Sequence, residues 1–401
     1  MEKSMNREKE AGLREEVRRE LLDNILPFWL GLRDADCGGF FGRVDGENRV
    51  HTDADKGAIY MSRILWTFSM AYRLFGNPDY LEAATEAKTF ILGHMIDKEN
   101  GGVYWKVDRR GNPVDGKKQI YAQGFAIYGL SEYYRATGNA QALAEAVQLF
   151  RCVERYAWES VSGGYLEAFT QSWEPISDMR LSDKDDNEPK TMNTHLHILE
   201  PYTNLLRIWD DGLLRTRLKE LIDLFFDRIV DKENNHCSLF FDMDWNCKSH
   251  TISYGHDIEA YWLLHEALDV LGDRTLAAGY ASRLKAIAAA SAEGIAPDGS
   301  MVYEKELISG RTDSERHWWV QAENILGNYL LYKWSGDADG LDKAVNTWRY
   351  VQDQIIDTEH GEWYWSRRED GTLNRTDDKA GFWKCPYHNG RMAMILNERS
   401  R

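Results

Sequence analysis

Six short turn-rich segments recur along the chain: CGGFFGRVDGENR (37–49), NGGVYWKVDRRGNP (100–113), SGGYLEAFTQSWEP (162–175), NHCSLFFDMDWNCK (235–248), GIAPDGSMVYE (294–304) and HGEWYWSRREDGT (360–372). Each alternates aromatic and polar residues around turn formers, the pattern of a strand–turn–strand hairpin. With Gly38, Gly101, Gly163, His236, Ala296 and Gly361 as markers, successive steps are 63, 62, 73, 60 and 65 residues. A period of that length signals one supersecondary unit used repeatedly, so residues 1–401 read as a single domain.

Between hairpins the pattern is helical, in pairs. Segments 59–76 and 120–138 are apolar almost all round, whereas 77–96 and 139–157 carry apolar residues on one face and charges on the other. The first kind belongs in an interior and the second at a half-solvated surface. Similar pairs follow at 190–209 with 212–230, 256–272 with 274–292, and 316–335 with 338–356, while 12–32 and 387–398 supply an opening and a closing helix. Twelve helices alternating in this way fit an all-α (α/α)6 barrel, an inner ring of six inside an outer ring of six. A linear solenoid has the same periodicity, because a repeat does not by itself show closure. Short turns such as FGNPDY and ATGNAQ join inner to outer helices, so the hairpins gather at the opposite end.

Composition narrows the function. The formal net charge is −16, and no Lys/Arg cluster interrupts it, which argues against nucleic acid or an anionic membrane as partner. The five cysteines are odd in number and lack C-x-x-C spacing, so a reducing cytoplasm is expected and neither a disulfide framework nor a zinc knuckle is indicated. The first twenty residues are charged where a secretion signal needs an apolar core. No phosphate-binding glycine loop, dinucleotide fingerprint or G-x-S-x-G elbow is present, so no cofactor and no serine nucleophile are expected.

If the ring closes, residues near the start of each inner helix converge on one cavity. Those positions hold Arg63, Tyr121, Asn193, His195, His197, His256, Glu259, His317, Trp318, Trp319, Glu323, Trp383 and His388. Five of the eleven histidines share this phase. His256 and Glu259 lie three apart on one helical face, a spacing open to a metal half-site, a buried structural pair or acid/base chemistry. Metal ranks last, because His195 and His197 would splay on a helix and supply no matching chelate. Glycoside hydrolysis, which ordinarily uses two carboxylates, could draw on Glu259 and Glu323. The phase is richer in histidine than in acid, and histidine titrates near neutrality, which favours exchange of a carbon-bound proton.

The strings SRILWTFSMAYR (62–73), YAQGFAIYGLSEYYRATG (121–138), LSDKDDNEPKTMNTHLHILE (181–200), GHDIEAYWLL (255–264), RHWWVQAE (316–323) and FWKCPYHNGR (382–391) resemble the cellobiose 2-epimerases of the N-acylglucosamine 2-epimerase superfamily, over nearly the whole chain. Cys385 departs from the pattern at a position where glycine is common. The resemblance implies an (α/α)6 barrel that reversibly inverts C2 of the reducing-end glucose in β-1,4-linked disaccharides such as cellobiose or lactose, without metal or nucleotide. It implies His256 and His388 as the two groups exchanging the C2 proton through a cis-enediolate, and His197 as the residue assisting ring opening. Arg63, Tyr121 and Asn193 would hold the oxygens where negative charge builds, with Glu259 and Glu323 orienting the sugar and tuning the imidazoles. Trp319 and Trp383 would be stacking walls for the sugar rings; Trp262 is similarly placed, and helix-core packing explains it equally well. A monosaccharide epimerase or aldose–ketose isomerase using the same histidines is the nearest alternative, ahead of a non-catalytic sugar-binding toroid. A monomer or weak homodimer is expected.

Overall fold

The computed structural model describes residues 2–398. Among them twelve helices alternate between inner and outer positions. Helix α1 runs from Glu2–Glu20 through a wide five-residue turn, Leu21–Ile25, into Leu26–Leu30. The inner helices are α2 (Ala58–Phe75), α4 (Ile120–Thr137), α6 (Met192–Leu206), α8 (Tyr254–Leu271), α10 (Trp318–Ser335) and α12 (His388–Glu398). Each packs against the next, and α12 packs back against α2, which closes the ring and disposes of the solenoid alternative. The outer helices are α3 (Pro78–Phe90), α5 (Ala140–Tyr156), α7 (Gly212–Leu224), α9 (Arg274–Ser291) and α11 (Ala338–Gln354), with α1 laid against α11 and α12. The two ends of the chain thus complete one pair of the ring. No described helix is long and apolar enough to cross a membrane.

Helix α1 begins ten residues earlier than the expected start at 12. That stretch lacks an apolar stripe but is rich in the good helix formers Glu, Lys and Arg, and Lys9 and Glu10 make polar contacts. Lys9 Nζ lies 2.5 Å from Asp342, and Glu10 accepts from Lys333 Nζ at 2.7 Å and Tyr329 Oη at 3.0 Å.

The inner-to-outer turns follow one local rule. Four inner helices end on a left-handed glycine, as at Gly76 (φ 69°) and Gly138 (φ 71°), where a side chain would strain the backbone, while α6 ends on Arg207. The next residue, Asn77 or Asn139, caps the outer helix by accepting from Asp79 N or Ala142 N.

The opposite end carries the expected hairpins in short form. An antiparallel bridge closes each repeat turn, for example Ile96↔Val103, Trp158↔Tyr165 and Val230↔Cys237, and a second pairing follows in the same segment, as in Phe169↔Pro175, Phe241↔Cys247 and Lys106–Val107 with Pro113–Asp115. Most of the regular pairing joins the two or three residues before an inner helix to the turn of the following repeat, as in Lys118–Gln119 with Ala168–Phe169 and Lys190–Thr191 with Phe240–Phe241. Neighbouring repeats are thereby stitched at the end where the inner helices begin. Buried ion pairs repeat there too: Lys56 with Asp34 (3.0 Å), Lys118 with Asp97 (2.8 Å), Lys190 with Glu159 (3.1 Å), and Lys379 with Asp357.

One further repeated contact fixes the rotation of the inner helices. Gln123 accepts from Val103 N at 2.7 Å, His195 Nε2 from Tyr165 N at 2.9 Å, Asp257 from Cys237 N at 2.7 Å and Gln321 from Met301 N at 2.9 Å. These four anchors hold the turn backbone, and they set which residues face the ring axis.

Candidate active site

The residue two places after each anchor lies on the axis side. It is Phe125, His197, Glu259 and Glu323, and in α2 the corresponding sixth residue of the helix is Arg63. Arg391, four residues into the shorter α12, completes the belt. Two groups of contacts tie its members: Arg63 over Phe125 at 4.2 Å with Phe125 to His197 at 5.0 Å between ring centres, and Arg391 to Glu259 and Glu323. Above this belt, at the end where the inner helices begin, His256, His388 and Trp319 come together.

His256 and His388 flank one indole. Their rings lie 4.7 Å and 5.6 Å from that of Trp319. Gly255 allows this packing, because a Cβ there would come within 2.8 Å of the indole. Each imidazole is oriented through Nδ1: His256 by Ser253 Oγ at 2.8 Å, His388 by Glu323 Oε1 at 2.7 Å, and His197 by Glu200 Oε2 at 3.1 Å. Next to a carboxylate, Nδ1 carries the proton and Nε2 is left as the basic nitrogen. His197 and His388 are 2% and 6% exposed, while His256, Trp319, Trp383 and Asn193 are half-buried, which grades the site from a dry floor to an open mouth.

Burial holds the imidazoles neutral. It lowers His256 to about 3, with His197 adding to the effect, and it drives His388 well below the ordinary histidine value, helped by the cations Arg63 and Arg391. His197 is also lowered by burial, against the pull of Glu200. Neutral imidazoles are the form that accepts a proton.

The acids beneath divide their roles. Arg391 Nη2 donates to Glu259 Oε1 at 2.5 Å and to Glu323 Oε1 at 2.6 Å, and its Nη1 bonds Glu200 Oε1. Glu323 also accepts from Trp262 Nε1 at 2.9 Å. Burial raises Glu259 well above its normal range and the neighbouring Glu323 raises it further; burial raises Glu323 too, against the pull of Arg391. Glu259 Oε2 is buried without a protein partner. Against burial, Arg391 and His197 hold Glu200 down at about 2. One ligand atom each from Glu259, Glu323 and His388 lies within 4.8 Å of the others, a spacing that could hold a metal ion. The Arg391 guanidinium already bonds both carboxylates, so the cluster is neutralised from within the protein.

Arg63 donates to Tyr121 Oη at 2.7 Å and to the Trp383 carbonyl at 3.4 Å, and it lies 4.6 Å from the Tyr387 ring. No described carboxylate bonds it, and its Nε is buried without a partner. Asn193 is not the helix cap: Thr191 fills that role by accepting from Thr194 N at 3.1 Å. Asn193 Oδ1 has no protein partner.

Two residues of the shared phase, His195 and His317, fall elsewhere, and so does Trp262. His195 is an anchor, with Nδ1 2.6 Å from the Thr191 carbonyl. His317 stacks on Tyr303 at 4.0 Å in the strand before α10. Trp262 is 0% exposed, lies under Arg391 at 4.6 Å and holds Glu323, so it is a support and not a sugar wall. His256 and Glu259, despite their shared face, take different partners, Ser253 and Arg391. Arg391, Glu200 and Ser253 were not singled out from sequence; their signal lies in the belt position and in the i, i+3 spacings His197/Glu200 and Ser253/His256.

The fold and this imidazole-and-carboxylate floor define a helical-toroid isomerase. The family model for N-acylglucosamine 2-epimerase matches residues 39–390, and the chain belongs to that family as an epimerase. A relative named cellobiose 2-epimerase from Bacteroides fragilis is 54% identical, covering 96% of this chain and 98% of its own. Another of that name from Ruminococcus albus is 40% identical with the same coverage. The solved cellobiose 2-epimerase of Bacillus thermoamylovorans superposes with a TM-score of 0.93 at 42% identity, covering 97% of this chain and 100% of its own.

Proposed function

We propose that this protein reversibly epimerises C2 of the reducing-end glucose in β-1,4-linked disaccharides, turning cellobiose into glucosyl-mannose and lactose into epilactose. The observation that carries the reading is the pair of neutral imidazoles, His256 and His388, set against one indole in a cavity floored by acids. Kinship with cellobiose 2-epimerases supports the substrate class.

The chemistry follows from the residues. His197 moves a proton between the ring oxygen and the anomeric hydroxyl, which opens the pyranose. The resulting aldehyde acidifies the C2–H bond, and one of the two imidazoles removes that proton through Nε2. Charge on the cis-enediolate is held by Arg63, Tyr121 and Asn193, each such donor worth about 2.7–4 kcal/mol. Rotation about C2–C3 presents the other face of C2 to the second imidazole, which returns a proton. Glu259, whose Oε2 has no protein partner, hydrogen-bonds a sugar hydroxyl through that oxygen. Trp319 and Trp383, both half-buried, form the walls on which sugar faces stack.

The cavity is assembled from one chain, so a monomer or weak homodimer suffices, and the five unpaired cysteines suit a reducing cytoplasm. Product chromatography after incubation with cellobiose, mannose and N-acetylmannosamine tests the assignment. Glucosyl-mannose from cellobiose is the expected result; turnover of the monosaccharides alone would overturn it.

A further inference from the structure

The geometry points to Arg391 as a positioning residue that ties the orientation of two working imidazoles to a single guanidinium, fixing His388 through Glu323 and His197 through Glu200. The inference rests on the epimerase reading for what those histidines do, but not for the linkage itself.

Arg391 is fully buried, with Tyr387 at 4.2 Å and Trp262 at 4.6 Å against its plane. One end of its fork bonds Glu200 and the Tyr387 hydroxyl, and the other bonds Glu259 and Glu323. Each acid so held is either the direct partner of an imidazole Nδ1 or the neighbour of that partner. Glu200 sits 3.1 Å from His197 and Glu323 sits 2.7 Å from His388, while Glu259 Oε1 lies 3.9 Å from His388. The two histidines come from helices α6 and α12, and no described hydrogen bond joins them directly.

A planar fork suits this task where a lysine does not. It presents donors on two sides in a fixed geometry, so both carboxylates are set at once. Tyr387 reinforces one side by donating to Glu200 Oε1. With Arg391 removed, Glu200 and Glu323 would be buried anions without a shared cation. Each would take up a proton or turn away from its imidazole. Either response releases the Nδ1–H that keeps Nε2 basic and aimed at the sugar.

The test compares wild type with R391K and R391Q by two readouts. Nitrogen NMR of 15N-histidine protein, with His197 and His388 assigned through H197Q and H388Q, reports the tautomers without any substrate. Both imidazoles are expected to be Nδ1-protonated in wild type, and both are expected to lose that state, or broaden between tautomers, in R391Q. In parallel, kcat on cellobiose should fall about 10²-fold or more, with KM changing less than about threefold. R391K keeps the charge without the fork; it should retain the tautomer of one histidine at most and lose at least about tenfold in kcat. Should R391Q not fold, R391K decides alone.

Unchanged tautomer signals for both histidines in a folded variant would overturn the inference, as would a variant that loses thermal stability but keeps wild-type kcat per folded molecule. A wild-type protein inactive on cellobiose would sink the epimerase reading and leave the tautomer comparison to decide the role of Arg391.

Discussion

His388 Nδ1 lies 2.7 Å from Glu323 Oε1, and the same oxygen accepts from Arg391 at 2.6 Å. The proposed C2 base is therefore held by a carboxyl group that is itself held by a buried cation. Replacing Glu323 by Gln keeps the bulk and removes the carboxyl group. It should lower kcat on cellobiose about 10²-fold while KM changes little, because orientation and basicity of an imidazole act in the transition state. Steady-state kinetics check this; a change confined to KM would assign Glu323 to substrate binding instead.

The walls should behave in the opposite way. Trp383→Ala removes an indole that packs against Trp105 at 6.0 Å between ring centres and is half-buried at the mouth. KM for cellobiose should rise about tenfold with kcat reduced less, the loss of one stacking face amounting to about 1.4 kcal/mol. Trp262→Phe should affect kcat more than KM, since that residue supports Glu323. Kinetics on the two variants side by side distinguish wall from support.

Acid should weaken the fold through its buried histidines. Burial lowers His195 to about 4, His256 to about 3 and His317 to about 4 in the folded protein. Their ordinary value is about 6.5, so the unfolded chain binds more protons below that pH. The stability they contribute is fully present above about pH 6.5 and is lost as pH falls through the folded values. His195→Gln, which installs the anchor side chain already used at Gln123 and Gln321, should flatten part of that decline. Melting temperature against pH for both proteins tests this, and parallel curves would contradict it. Activity follows the same sign: kcat/KM should hold its plateau through about pH 6.5 and fall only in stronger acid.

The stitched end of the ring yields a stability prediction away from the cavity. Lys118 and Asp97 are both fully buried and 2.8 Å apart. Lys118→Met leaves Asp97 without its cation and should cost about 3–5 kcal/mol, and Lys118→Met with Asp97→Asn together should recover part of it. Urea unfolding of the single and double variants measures the coupling.

Much of this was legible in the sequence because the repeat states it several times. The alternation of all-apolar and amphipathic helices gave the twelve-helix count, and the shared phase brought out His197, His256 and His388. Closure was not legible, since it depends on α12 meeting α2 across the full length of the chain. His195 and His317 entered the candidate set because phase was read to within a turn, whereas the anchor contact rotates His195 away from the axis by two residues. Arg391 escaped notice for the same reason. A lone arginine in an apolar helix carries no local signal, and its meaning comes only from Glu200, Glu259 and Glu323 on three other helices. Trp262 is a case where one pattern served two roles, and burial decided for support.

The most direct test of the central claim is deuterium incorporation during turnover in D₂O. With His256 and His388 as the two exchanging groups, NMR of the glucosyl-mannose formed from cellobiose should show deuterium at C2 of the mannosyl unit, approaching one atom per molecule. In H256A and H388A, epimerisation should cease, with each variant still exchanging C2 of only one of the two epimers. Product that keeps protium at C2 would contradict the account, because inversion would then proceed without any proton leaving the carbon.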